Sequence, residues 1–422
     1  MNHAFEHDIA ALRAASPDWT WRVVSLEYFY REAARIFPPG VTEGLAAYTR
    51  PEYAEHRARY RERLVALLED LYLEEPFDVF VAPSDSFFYL REAAHACHTL
   101  GVPFLVVQKE TTISPWNMVK GSGELREHAP LVADHMTVCS DRHRDYWLHA
   151  GARRDAMTVT GQPRFDFYAE ERRAELSYPG AGPIILFFTY LPDFYHPDMV
   201  TSEGRPVWHD LLRRTEEELW ACAADGYRVL IKPHPLQPFR AEVRRIKAEV
   251  GSLYGRNVFT VDPPTDVRAL IAGSDVAVGF QSTVMLEAMV SGLAVLYTFW
   301  DPEARRIQDT LVPYHNMGDL IEVVDDASRF GEVLRSARPA PWGSALWQAR
   351  RHAAEPELGS LDGGASARTV VVIEREVAAF RALGGSGRPE LLRRRPSLAL
   401  RRFRVRESGI RAASRIRRTL RI

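Results

Sequence analysis

The densest run of chemically capable residues is Asp275–Gly292, DVAVGFQSTVMLEAMVSG. A short apolar strand ends at Gly279-Phe280, and Gln281-Ser282-Thr283 opens a helix that Gly292 closes. Ser and Thr are favoured N-caps. The free N–H groups and dipole of a helix N-terminus attract anions, and a diphosphate suits such a place. Glu287 follows Thr283 by one turn on the same face, within reach of ribose hydroxyls beside that diphosphate. The competing reading is a plain cap at Ser282 and a solvated Glu287. A second run is Val229–Pro235, VLIKPHP. Its prolines fix the loop around His234. Lys232 and His234 alternate with Ile231 and Pro233, so both are expected to point the same way at the strand end. A Lys beside a His suits a departing phosphate: one supplies charge, the other a proton or hydrogen bond. Only four of the 54 basic residues are lysine, so a retained Lys is suspected of serving as a compact point charge.

Earlier in the chain the candidates again follow strands. Gly161-Gln162-Pro163-Arg164 makes a tight turn, and Gln162, Arg164 and Asp166 either touch a ligand or latch domains together. Asp85 and Glu110 are candidate general bases for an acceptor hydroxyl, although Asp85 also precedes a helix it could cap. Lys109 would hold an acidic acceptor or pair with either carboxylate. Metal chemistry finds little support. Cys97, Cys139 and Cys222 fit no zinc spacing, and His95 and His98 beside Cys97 lack a fourth partner. No P-loop and no G-x-S-x-G elbow is present. No metal and no cofactor is expected.

These residues need elements to hold them, and apolar runs supply them. Strands are expected at 78–82, 102–107, 136–139, 157–160, 184–189, 228–232, 258–261, 276–280, 294–298 and 321–324. Helical stretches separate them, the pattern of parallel sheets covered on both faces. The fold class is therefore α/β: two doubly wound parallel-sheet (Rossmann-like) domains facing across a cleft. Residues 1–168 would form an acceptor-side domain and 183–385 a nucleotide-donor domain, with ligands beyond the carboxyl ends of the strands.

Composition narrows the class further. Of 422 residues, 46% are hydrophobic and 26% charged, values of a globular chain. Three cysteines suit a reducing cytosol. Met1–Ala10 has no basic segment followed by an apolar run, so no signal peptide is expected. The net charge of −2 conceals a split. Residues 386–422 hold thirteen Arg against two Glu, a charge of +11, which leaves −13 for residues 1–385. Apolar residues such as Leu398, Val405 and Ile416 interleave the arginines. A basic amphipathic tail lying on an anionic membrane surface is the economical reading, against a disordered cationic tail. Nucleic acid is disfavoured as a partner, because the acidic body would repel it.

Four segments carry a resemblance: VTGQPRFD at 159–166, LIKPHP at 230–235, SDVAVGFQSTVMLEAMVSG at 274–292 and DGGASAR at 362–368. With them the chain resembles GT-B-fold glycosyltransferases of bacterial surface and capsular polysaccharide synthesis, and the related CDP-glycerol glycerophosphotransferase family. The resemblance implies that Ser282 and Thr283 hold a diphosphate, with Gln281 beside them among the donor-binding residues, Glu287 the ribose, and Lys232 with His234 the transferring phosphate. Some relatives carry two glutamates eight residues apart, where this chain has Gly279 and Glu287. The implied activity is metal-independent transfer of a sugar from a nucleotide-sugar donor, acting as substrate, to a polysaccharide or lipid-linked acceptor. It would take place at the inner face of the plasma membrane. A polyol-phosphate transferase, a nucleotide-sugar 2-epimerase and a non-catalytic scaffold are the alternatives.

Overall fold

The computed structural model describes residues 5–39, 41, 48–109, 112–190, 208–234 and 237–382. Glu110, Pro235 and the arginine-rich 386–422 lie outside the described residues. The chain separates into two compact units, one of Met1–Glu110, Val119–Arg164 and Gly364–Ile422, the other of Thr111–Met118 and Phe165–Gly363.

The first unit is built on four parallel strands in the order β1 (Phe80–Ala82), β2 (Phe104–Val107), β3 (His135–Val138) and β4 (Met157–Val159). Alternation along β2 decides which helices cover which face. Phe104 and Val106 join a large core with Leu64, Leu67 and Leu68 of helix Ala54–Glu74 and Ala93 and Ala94 of helix Phe88–Thr99. Leu105 and Val107 face the other way, onto Leu12 of helix Glu6–Ala15 and Val370 and Ile373 of helix Ala365–Phe380. Each of these Leu, Ile, Val and Phe side chains contributes about 1.5–3 kcal/mol on burial. This explains why the last helix, which chain order assigns to the second domain, packs on the first sheet: its apolar stripe closes a face that would otherwise be open.

The second unit holds six parallel strands in the order β10-β9-β8-β5-β6-β7. Their ranges are β5 (Ile184–Phe188), β6 (Arg228–Lys232), β7 (Val258–Thr260), β8 (Val276–Gly279), β9 (Ala294–Thr298) and β10 (Glu322–Val324). All of IILFF in β5 is buried, as a central strand covered on both sides requires. All ten expected strands are present, several a residue or two shorter. The chain runs outward from β5 through β6 to β7, then restarts on the opposite side of β5 with β8, β9 and β10. The point where the order reverses lies between β5 and β8, and in such sheets the crevice beyond that point is where ligands bind.

Candidate functional site

In the second unit, the register sets Phe188 of β5 opposite Lys232 of β6 and Phe187 opposite Val278 of β8. The loops after β5, β6 and β8 therefore leave the sheet at one level, around the reversal point. The loop after β6 carries His234, half-buried. Its backbone N–H donates to Thr189 Oγ1 at 3.1 Å and to Gln237 Oε1 at 2.7 Å. Gln237 returns its own N–H to the His234 carbonyl at 2.9 Å. Thr189 directly follows β5, so these bonds tie the histidine loop to the strand at the reversal point.

The loop after β8 opens helix Thr283–Val290. Ser282 is its N-cap in extended conformation, yet its side chain makes no capping bond. Ser282, Thr283 and Val284 are half-buried, and from Met285 onward the helix is buried. The first turn is thus the reachable end of an otherwise enclosed helix. A dipole that ends in partial positive charge, with two hydroxyls beside it, is suited to an anion. The turn is braced on several sides. Tyr314 Oη donates to the Ser282 carbonyl at 3.1 Å, and Thr112 Oγ1 lies 3.3 Å from Thr283 Oγ1. Ile113 N–H donates to Glu357 Oε2 at 2.9 Å, which anchors the segment carrying Thr112.

Three residues expected to meet the ligand also make bonds within the protein. Lys232 is buried, and its Nζ donates to the carbonyls of Asp262 and Pro263 at 3.0 and 2.8 Å. It pins the loop after β7. Burial pulls its ammonium down to about 8, with Asp262 opposing. Gln281 Nε2 donates to Tyr297 Oη and to the Val312 carbonyl, both at 2.9 Å, and its Oε1 accepts from Val312 N–H at 2.8 Å. Its backbone has φ 45°, the one positive φ outside glycine among the described residues. Gln281 is a clamp between β8 and the 311–314 loop. Glu287 is buried, and its Oε2 accepts from Tyr168 Oη at 2.5 Å. At Gly279 a Cβ would sit 2.7 Å from Met285 Sδ, so any side chain there requires Met285 to move.

In the first unit, Asp85 is 0% exposed and its Oδ2 accepts from Val132 N–H at 2.6 Å and Ala133 N–H at 3.0 Å. Burial raises its carboxyl, while those bonds oppose the rise. It ties down the turn before β3 and caps no helix, since helix Phe88–Thr99 starts from Phe87. Gln162 is buried and donates from Nε2 to the Lys109 carbonyl at 3.1 Å. Arg164 N–H donates to Asp8 Oδ1 at 3.1 Å. Lys109, Arg164 and Asp166 are half-buried. The 159–166 and 362–368 motifs meet here: Arg368 Nε donates to the Thr160 carbonyl at 2.8 Å, and Thr369 Oγ1 to Thr160 Oγ1 at 3.1 Å.

Several contributors escaped the sequence reading. Thr189, Gln237 and Tyr314 hold the two loops, Tyr168 holds Glu287, and Asp8 lies fully buried on the first helix. Thr189 alone had a signal, its place at a strand end. Among the described residues no group of three His, Cys, Asp or Glu is arranged to hold a metal ion, and no helix is long and apolar enough to cross a membrane.

No protein-family model and no curated protein matches the chain. Solved structures do. One is Staphylococcus aureus MnaA with UDP, at 14% identity and TM-score 0.50, covering 89% of this chain and 94% of that one. Another is the wall teichoic acid polymerase TagF, at 13% identity and TM-score 0.47, covering 90% and 99%. A third is the Methanocaldococcus jannaschii UDP-GlcNAc 2-epimerase with UDP-GlcNAc and UDP, at 12% identity and TM-score 0.47, covering 87% and 96%. These neighbours are enzymes of the GT-B fold. The likeness to MnaA, together with the two parallel sheets, shows that fold for this chain.

Proposed function

We propose that the chain is a glycosyltransferase that moves a sugar from a nucleotide-diphosphate or CMP-type donor to a surface-polysaccharide or lipid-linked acceptor. One observation carries the reading: the uncapped first turn at Ser282-Thr283 opens at the reversal point of the six-stranded sheet, with His234 on the loop of a strand flanking β5. Backbone N–H groups and two hydroxyls suit the donor phosphates, and His234 suits the phosphate that departs. A GT-B neighbour that holds UDP is in keeping with this use of the fold. The acceptor oxygen attacks the anomeric carbon, the bond from that carbon to the phosphate oxygen breaks, and the electron pair leaves on the phosphate. The acceptor proton passes to a base, for which Glu110 remains the candidate. Glu287, held by Tyr168, is reassigned from ribose contact to support of the helix. No metal is called on, because the helix terminus and His234 supply the compensating charge.

The arginine-rich 386–422 would attach the protein to the inner face of an anionic membrane, where a lipid-linked acceptor resides. The test is a panel of nucleotide donors scored by thermal stabilisation, followed by labelled donors with and without membranes. Transfer of label to membrane material is the expected result. Inversion of the sugar without an acceptor would replace this reading with an epimerase, transfer of a polyol phosphate would replace it with the phosphotransferase, and no nucleotide binding would remove it.

A further inference from the structure

Two buried carboxamides at the carboxyl ends of the first sheet present oxygens that have no hydrogen-bond partner among the described residues. Gln162 is 1% exposed and Gln108 is 5% exposed. Among the described residues, Gln162 Oε1 and Gln108 Oε1 have no hydrogen-bond partner. The orientation of Gln162 is fixed, because its Nε2 donates to the Lys109 carbonyl and the oxygen must then face away. That same bond carries Gln162, from the loop after β4, across the end of β3 to the residue next to Gln108. Gln108 itself is held by its N–H on the Thr137 carbonyl, and Thr160 by its N–H on the Val138 carbonyl. Gln108 and Gln162 thus follow the two strands that flank β3, after which Ser140 caps the next helix and accepts from His143 N–H.

Leaving a buried acceptor unpaired is costly, and native structures rarely keep two together without a use. Carboxamide oxygens only accept hydrogen bonds, so the matching ligand is a donor of hydrogen bonds, and the ends of parallel strands are where this type of sheet binds ligands. We propose that Gln108 and Gln162 form the floor of a subsite for a neutral, vicinal-hydroxyl group, a glycerol unit or a sugar ring, in the first unit. As the acceptor end of the transfer it rests on the reading above. As a binding site it stands apart from that reading, because it needs no nucleotide. Carboxamides also suit an uncharged group better than a phosphate, since their free oxygens repel anions.

The test is saturation-transfer NMR on the full chain without nucleotide, using glycerol in one arm and methyl α-D-glucopyranoside in the other. Saturation of the carbinol protons in either arm is expected, and the arm that responds tells the glycerol unit from the sugar ring. Gln108→Leu and Gln162→Leu should each weaken that binding by about tenfold, the loss of one or two hydrogen bonds. Stabilisation by a nucleotide, measured in parallel, should not change. Gln108→Leu serves if Gln162→Leu, which also gives up the Lys109 contact, fails to fold. No saturation in either arm overturns the proposal, as does equal saturation in wild type and Gln108→Leu. Failure of the nucleotide panel with polyol binding intact would refute the donor reading and leave this one standing.

Discussion

Gln281 offers the sharpest check on the site, because sequence and structure give it different work. As a donor ligand, its loss would weaken nucleotide binding and leave the fold alone. As a clamp, its loss removes three hydrogen bonds to the buried Tyr297 and Val312. At about 0.5–1.5 kcal/mol net for each bond, Gln281→Ala should cost about 2–4 kcal/mol. For a unit of this size that lowers the melting temperature by roughly 5–15 °C. Gln281→Gly loses the same bonds but relieves the left-handed backbone at φ 45°, so it should recover about 1 kcal/mol relative to Ala. The two units need not melt together, so a local probe is the better assay. The Val312 amide loses its acceptor in both variants, and its hydrogen exchange should quicken. Because Tyr314 reaches the Ser282 carbonyl from the same loop, nucleotide affinity should fall as a consequence of the loosened loop. If Ala and Gly are equally stable, or if Val312 exchange is unchanged while binding is lost, the clamp argument is wrong.

Lys232 predicts a pH dependence. Its ammonium titrates at about 8 when folded, against about 10.4 in an unfolded chain. Between those values the unfolded chain holds more protons, so stability should rise with pH, and below pH 8 this contribution to the slope should vanish. Urea midpoints at pH 7.5, 9 and 10 should show the rise in wild type and lose it in Lys232→Met; an identical slope in both excludes Lys232 as its source. His234→Ala should lower turnover by a factor on the order of 10²–10⁴ and keep the loop, because the backbone N–H that ties it to Thr189 and Gln237 remains; unchanged turnover would discard its part in transfer. Deletion of 386–422 should abolish sedimentation with anionic vesicles at moderate salt while nucleotide stabilisation persists. Loss of cooperative unfolding in that variant would mean the segment belongs to the core.

The strands were legible in the sequence because buried parallel strands are written as continuous apolar runs: IILFF, RVLIK and AVLYT could be little else. Loop positions followed, so Ser282, Thr283 and His234 could be named at strand ends before any coordinates. Helices Glu6–Ala15 and Ala345–Leu358 escaped notice: the first has no capping side chain at its start, and the second, although Ser344 caps it, holds an internal Pro. With the first went Asp8 and the cover of one sheet face.

Side-chain duty was a different matter, because it depends on neighbours that are distant in the chain. Alternation put Lys232 and His234 on one side of a strand, and it could not show that the loop after β7, the strand beside β6, brings the Asp262 and Pro263 carbonyls within reach of Nζ. Nothing around Glu287 announces Tyr168, 119 residues away, and nothing around Asp85 announces the amides of Val132 and Ala133. The chain's own pattern thus settled its two sheets and the loops from which a ligand could be met. Strand order and packing then decided which polar groups are consumed in holding those loops and which are left to do chemistry, since a buried donor or acceptor takes whatever partner the fold brings to it.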